Sequence, residues 1–277
     1  MNQFENEIKN KERFNFGKNW KKFLTNLNDK RIDESKKSLL TFLRSRDLKN
    51  KSFLDVGSGS GLSSLVARMS GANVFSFDYD TSSVECTKFL KEKYYQNDKN
   101  WKIIQASALD NKFMNDLPKF DIVYSWGVLH HTGNMYKAFD NVEKKVNNDG
   151  KLFLALYNDQ GLKSKVWYYI KKTYVKSPWI IKQLIIFLCY FRLWGPTMLK
   201  DFFKLKPFYT WKNKYKSRGM SPHFDVIDWV GGYPFEVSKP EEIVDYFFKK
   251  GYKLEKIRTC GNGKGCNQYL FSKNANH

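Results

Sequence analysis

Residues 53–62 read Phe53-Leu54-Asp55-Val56-Gly57-Ser58-Gly59-Ser60-Gly61-Leu62. An apolar run closes on an acid, glycine takes three alternate positions, and an apolar helical pattern follows. That order predicts a strand, a tight turn and a helix N-terminus. Glycine admits positive φ and close approach of a ligand. The unpaired N–H groups at a helix start can hold polar or anionic atoms. Alone, the stretch also fits a strand-to-helix turn that binds nothing, so its surroundings have to decide.

Downstream, Asn73-Val74-Phe75-Ser76-Phe77-Asp78-Tyr79-Asp80 is a second apolar run ending in acids, with Asp78 17 residues after Gly61. In nucleotide-binding βαβ units an acid at this place accepts hydrogen bonds from ribose hydroxyls. Asp78 is the first choice and Asp80 the second. Helical patterns over 82–95 and 135–146 alternate with strand patterns over 102–105, 120–125 and 151–157. Such alternation predicts an α/β fold with a doubly wound parallel sheet. Ligands of such sheets lie beyond the carboxyl ends of the strands, which here carry Asp55, Asp78, Ser107, Trp126 and Asn158. Two last strands, 253–259 and 267–272, flank the glycine-rich loop 260–266 and read as a hairpin.

The chain has 277 residues and a formal charge of +20. Four cysteines without a repeated short spacing form neither a disulfide framework nor a zinc pattern, which fits a reducing cytosol. No carboxylate cluster suggests a metal site. The start of the chain lacks the regions of a signal peptide. Charge is uneven: residues 158–222 hold fourteen Lys and Arg against two acids, together with fifteen aromatics. Such a patch attracts anionic partners: phosphates, nucleic acid or anionic lipid.

Three regions follow: an N-terminal helical cap (1–46), a core (47–157 and 239–277) and a basic, aromatic insertion (158–238). In the cap, Phe16, Trp20, Phe23 and Leu27 recur at helical spacing. In the insertion, 178–194 is nearly continuously apolar and is expected to stop at Gly195-Pro196, with a shorter amphipathic helix over 196–206. Lys182, Gln183 and Arg192 interrupt it, which argues against a membrane span. Residues 221–236 read as an irregular loop. The insertion fits a packed helical subdomain, a lid over an anionic substrate, or a membrane-surface element through 163–206.

These features together resemble the class I S-adenosylmethionine-dependent methyltransferases, over about 53–157 and 239–272. The residues carrying the resemblance are Leu54 to Gly61, Asp78, and Phe120-Asp121-Ile122-Val123 followed by Leu129-His130-His131, with the terminal hairpin. The glycines read G-x-G-x-G, unlike the G-x-G-x-x-G of dehydrogenases. Phe16-Gly17-Lys18-Asn19-Trp20 and Asp228-Trp229-Val230-Gly231-Gly232-Tyr233 look most similar to bacterial hydroxyphenyl-type O-methyltransferases of quinone pathways. The resemblance implies a Rossmann-like seven-stranded sheet with a terminal antiparallel hairpin and S-adenosyl-L-methionine as cofactor. It puts Gly57, Gly59 and Gly61 at the methionyl part, Asp55 near its amino group, Asp78 at the ribose, and Ser107, Ala108 and Leu109 at the adenine, with Ser58, Tyr79 and Trp126 as further cofactor-binding candidates. Many members have an acid where Ser107 stands. The Asn/Asp-Pro-Pro-aromatic signature of DNA amino methylation is absent, Ser125-Trp126-Gly127-Val128 standing there.

A hydroxyl acceptor must lose its proton, so a nearby base helps. His131 is the first candidate for base or orienting group, with His130 and His223 as alternatives; each could instead tie a loop to backbone. Phe16, Trp20, Asn158, Asp228, Tyr233 and Lys264 are candidates for acceptor binding, under a lid made of the N-terminal aromatics, the insertion and the 261–265 loop. The expected acceptor is a small or lipid- or nucleotide-linked anion, such as a quinone precursor or a surface-glycan intermediate. RNA methylation is the second reading, and a non-catalytic cofactor-binding or membrane-associated scaffold the third. The expected location is the cytoplasm, with the inner face of the membrane as the peripheral site.

Overall fold

Phe53, Leu54 and Val56 are fully buried, as a strand covered by helices on both faces requires. The computed structural model describes residues 3–211, 222–261, 263 and 265–273. Its strands are β1 (Ser52–Val56), β2 (Asn73–Asp78), β3 (Trp101–Gln105), β4 (Phe120–Trp126), β5 (Val146–Tyr157), β6 (Tyr252–Arg258) and β7 (Cys266–Lys273). They form one sheet in the order β3-β2-β1-β4-β5-β7-β6. β1 to β5 are parallel, and β7 runs antiparallel to both β5 and β6. The expected Rossmann-like seven-stranded sheet with a terminal hairpin is the one observed.

One face of the sheet packs on α3 (Asp29–Leu43), α4 (Leu62–Met69) and α5 (Thr81–Tyr94). The other packs on α6 (Asn111–Asp116), α7 (Met135–Glu143) and α11 (Pro240–Phe248). Two N-terminal helices, α1 (Gln3–Lys9) and α2 (Gly17–Thr25), precede this core. The remaining helices, α8 (Leu162–Lys176), α9 (Trp179–Phe203) and α10 (Pro222–Gly231), share a third cluster built on Trp167, Tyr174, Ile186, Trp194, Val226 and Val230. The segment that carries them is closed at its base, where Asp159 N–H donates to Ser238 O at 3.0 Å and Ser238 N–H to Tyr157 O at 3.1 Å.

Three local expectations are corrected. β5 begins at Val146, not at 151, because Val146 pairs with Phe120 and a register shift between Phe120 and Ile122 takes up the irregular stretch. Asp149, at φ 61°, shows that the Asn-Asp-Gly signal bends the strand without ending it. The helix from Trp179 runs through Gly195-Pro196 to Phe203. There Trp194 is buried, and Thr197 Oγ1 donates to Trp194 O at 2.8 Å beside the N–H that proline lacks. Residues 222–231 form a helix and not a loop, because Val226 and Val230 lie four apart and both bury in the third cluster.

Candidate active site

The glycine turn leaves β1 and closes against the end of β2. Gly57 N–H and Ser58 N–H donate to Phe77 O at 2.9 and 3.1 Å, and Gly59 N–H donates to Asp78 Oδ2 at 2.8 Å. Gly57 and Gly59 have φ of 80° and 54°. A Cβ on Gly57 would stand 2.3 Å from Val128, and one on Gly59 would stand 3.2 Å from the indole nitrogen of Trp20. Both the left-handed backbone and the close neighbours demand glycine here. Ser58 Oγ is bonded to Thr87 Oγ1 at 2.9 Å.

The three acids have different surroundings. Asp55 lies under the turn, accepting from Ser64 Oγ at 2.5 Å, in a chain that continues through Ser76 to Trp101 Nε1. Burial pushes its carboxyl up to about 7. Asp80 caps α5 through Ser82 N–H at 2.8 Å and takes Gly17 N–H at 2.7 Å on its other oxygen. Asp78 accepts one backbone N–H on each oxygen, from Gly59 and Asp80, both at 2.8 Å. A carboxylate offers about four acceptor sites, so acceptor capacity remains for a ligand hydroxyl. Burial pushes Asp78 up to about 7 as well.

Tyr79 turns to the N-terminal segment: its hydroxyl donates to Glu7 Oε1 at 2.8 Å and Arg13 lies 5.1 Å over its ring. Beyond β3, Ser107 Oγ accepts Leu109 N–H at 3.1 Å, and Ala108 O accepts from Asn141 Nδ2 at 2.9 Å. Trp126 ends β4 half exposed.

His130 and His131 form a 3₁₀ turn just after β4. His131 Nδ1 is 2.6 Å from Pro234 O. A carbonyl can only accept, so Nδ1 carries the proton and Nε2 presents a lone pair. Burial, with Lys171 and Arg13 nearby, pushes His131 down to about 3. His130 is completely buried, accepts Tyr157 N–H on Nδ1 at 3.4 Å, and has no partner for Nε2. His223 is apart from this pair: it is exposed on the first turn of α10, bonded to the hydroxyl of Tyr190.

Asn158 ties the β6–β7 loop, donating to Gly261 O at 3.2 Å and accepting from Asn267 Nδ2 at 3.0 Å. Tyr233 packs edge-on against Tyr168, and its carbonyl accepts Phe14 N–H at 2.9 Å. Lys264 lies outside the described residues. A small cavity at the end of β5 is lined by Tyr157, Gln160, Trp167 and Trp229.

One turn of chain at the start of α2 joins these parts. Phe16 packs on the His131 ring at 4.9 Å, Asn19 donates to the Asp228 carboxylate, and Trp20 lies against Gly59. Positions i, i+3 and i+4 face one way on a helix, so the glycine turn, His131 and Asp228 all meet one face at the start of α2. Burial pushes Asp228 up to about 7, partly offset by Asn19 and Lys171.

Two contributors escape sequence reasoning. Arg13 donates to His131 O at 2.7 Å and Thr132 O at 3.2 Å, fixing the histidine turn. Lys171 is fully buried, donates to Trp229 O, and lies 4.6 Å over the Trp229 ring. Its signal was a lysine on the apolar face that Trp167 and Tyr174 define; Arg13 carried none.

The family described as "Methyltransferase domain" matches residues 28–179. The ubiquinone biosynthesis O-methyltransferase of Pelagibacter ubique is 29% identical over 156 residues, 55% of this chain and 62% of that protein. The ribosomal protein L11 methyltransferase of Legionella pneumophila is 37% identical over 73 residues, 26% of this chain and 25% of that protein. The chain thus spans less than two thirds of the curated relatives it matches. Among solved structures, PKMT2 of Rickettsia typhi in complex with AdoHcy aligns with a TM-score of 0.56 at 14% identity, covering 83% of this chain and 50% of that one. Magnesium protoporphyrin IX methyltransferase of Synechocystis PCC 6803 with bound SAH aligns at 0.51 and 14% identity, covering 88% and 82%. At such identities the likeness is one of fold. The family match extends over more than half of the chain and spans the glycine turn, Asp78 and the histidine turn, so the protein belongs to the methyltransferase-domain family, with the class I fold.

Proposed function

We propose that the protein methylates a hydroxyl group of a small acceptor, with S-adenosylmethionine as methyl donor. The donor supplies an electrophilic methyl group on a sulfonium. The residues present fit it: Gly57 and Gly59 hold a left-handed turn at the end of β1 with no side chain of their own, and the Asp78 carboxylate, anchored by Gly59 and Asp80 N–H, has acceptor capacity left for a ribose hydroxyl. Trp20 and Val128 wall the turn. The observation that carries the reading is the start of α2, which touches the glycine turn, His131 and Asp228 within one helical turn.

On the acceptor side, His131 stays neutral and takes a hydrogen bond from the acceptor hydroxyl on Nε2. Asp228, with a carboxyl near 7, is the group suited to receive the proton at neutral pH. Positioning supplies most of the remaining rate. A phenolic hydroxyl of a quinone precursor is the acceptor class we favour, in line with the Pelagibacter relative named for ubiquinone biosynthesis.

The test is transfer of labelled methyl from S-adenosylmethionine to a dihydroxybenzoate with a hydrophobic tail, compared with RNA and with nucleotide-sugar fractions. Label in the phenolic ether supports the reading. Label only in RNA, or no transfer with tight S-adenosylhomocysteine binding, overturns it.

A further inference from the structure

We propose that the outer face of α9 docks the protein on an anionic phospholipid surface. Ile180, Leu184, Phe187, Phe191, Leu199 and Phe202 recur at helical spacing, and each is more than half exposed. With 25 residues and about 1.5 Å of rise per residue, α9 offers a long apolar stripe. Its inner face is anchored: Ile186, Cys189 and Trp194 bury in the cluster that also holds Val226 and Val230 of α10. The stripe is therefore a feature of a packed element. Contiguous exposed apolar surface of this extent marks an interaction site.

Charge selects the occupant. Arg192 and Lys200 on α9, Lys204 at its end, and Lys163, Lys165 and Lys176 on the neighbouring α8 are exposed. Between residues 160 and 211 the one acid is Asp201, which is buried and bonded to Thr210 N–H and Oγ1 at 2.7 and 2.6 Å. A second copy of this chain would bring one cationic rim against another with no acid to meet it. A nucleic acid would neutralise the lysines and leave the stripe in water. An anionic bilayer satisfies both, taking apolar side chains at the headgroup boundary and cations among the phosphates. Among the described residues no helix is long and apolar enough to cross a membrane, so the geometry is a helix lying in the surface. The docked face is tied through the shared cluster to α10, which carries Asp228.

Vesicle flotation of the full chain tests this, using phosphatidylcholine alone and phosphatidylcholine mixed with phosphatidylglycerol. We expect flotation with the mixed vesicles only, weakening as salt rises. Leu184→Glu with Phe187→Glu should lower vesicle affinity at least about tenfold while circular dichroism keeps the parent melting curve. Should that pair unfold the helix, Lys200→Gln with Lys204→Gln, beside Leu199 and Phe202, decides, with a loss of about fivefold per lysine expected. Absence of flotation by the parent chain overturns the proposal. So does flotation unchanged in whichever of these variants folds, or a dimer by sedimentation that the apolar variant dissolves without any vesicle binding.

Discussion

The indole of Trp20 lies on Gly59 so closely that a Cβ there would come within 3.2 Å of its nitrogen. The N-terminal helix α2 is therefore a wall of the glycine turn, which the parallel sheet alone would leave open. Gly59→Ala meets both this wall and a φ of 54°. A left-handed alanine costs about 1–2 kcal/mol. We expect a lower melting temperature and S-adenosylhomocysteine binding at least about tenfold weaker by calorimetry. Trp20→Ala should weaken binding with little loss of stability.

Asp78 holds the turn through Gly59 N–H, and on the proposed function its remaining acceptor capacity meets the ribose. In Asp78→Asn one oxygen becomes an NH₂ group that faces a backbone N–H. Hydrogen bonds to charged groups contribute about 1.5–3 kcal/mol, so S-adenosylhomocysteine should bind about 10- to 150-fold more weakly. Asp80→Asn should instead destabilise α5 and loosen Gly17, with a smaller effect on binding. Equal losses of binding in the two variants would mean that Asp80, too, meets the ligand.

The βα periodicity made the sheet legible, because each strand is long enough to show its apolar run and each helix its stripe. Gly-Pro, Gly-Gly and Asn-Asp-Gly misled at Pro196, at α10 and at the start of β5, since burial of Trp194, of Val230 and of Val146 outweighed the local turn signals. At the site, the turn and the histidine pair could be read locally. What holds them could not: Gly17 meets Asp80 across 63 positions, Arg13 meets His131 across 118 and Asn19 meets Asp228 across 209. Asp78 and Asp80 each take one backbone N–H on each oxygen; what separates them is that Asp80 is buried under Gly17 and Asp78 is partly exposed, a contrast the local sequence does not carry.

The buried carboxyls make activity and stability move oppositely with pH. Asp228 titrates near 7, so kcat/KM should rise as pH passes through about 7 and then level, and Asp228→Asn should flatten that limb. His131, held near 3, adds no limb in this range. For stability, Asp55, Asp78 and Asp228 are raised above the unfolded value of about 3.9, so the native state binds more protons between the two values. Their contribution is fully present below about pH 4 and is lost as pH rises through about 7. Melting of the parent against Asp228→Asn across that range measures the effect: the difference should widen with pH, with the variant the more stable above 7.

Lys171 supplies the last test, because its two influences separate. Its ammonium is fully buried, and burial pushes it down to about 7. A lowered lysine leaves the native state short of protons between about 7 and about 10.4, so this group penalises folding below 7 and the penalty fades as pH rises towards 10.4. Lys171→Met keeps most of the volume among Tyr157, Trp229 and Phe235 and removes the penalty. Removing one charge of a buried pair is costly only while its partner stays ionised; at pH 6 the Asp228 carboxyl, raised to about 7, is largely protonated, so the variant should melt no lower than the parent there. The same lysine holds the Asp228 carboxyl down. Without it, the rising limb of kcat/KM should shift to higher pH while S-adenosylhomocysteine affinity is unchanged. A stabilised variant with an unmoved pH profile would sever Lys171 from the acceptor site and leave Asp228 without its cationic neighbour's influence.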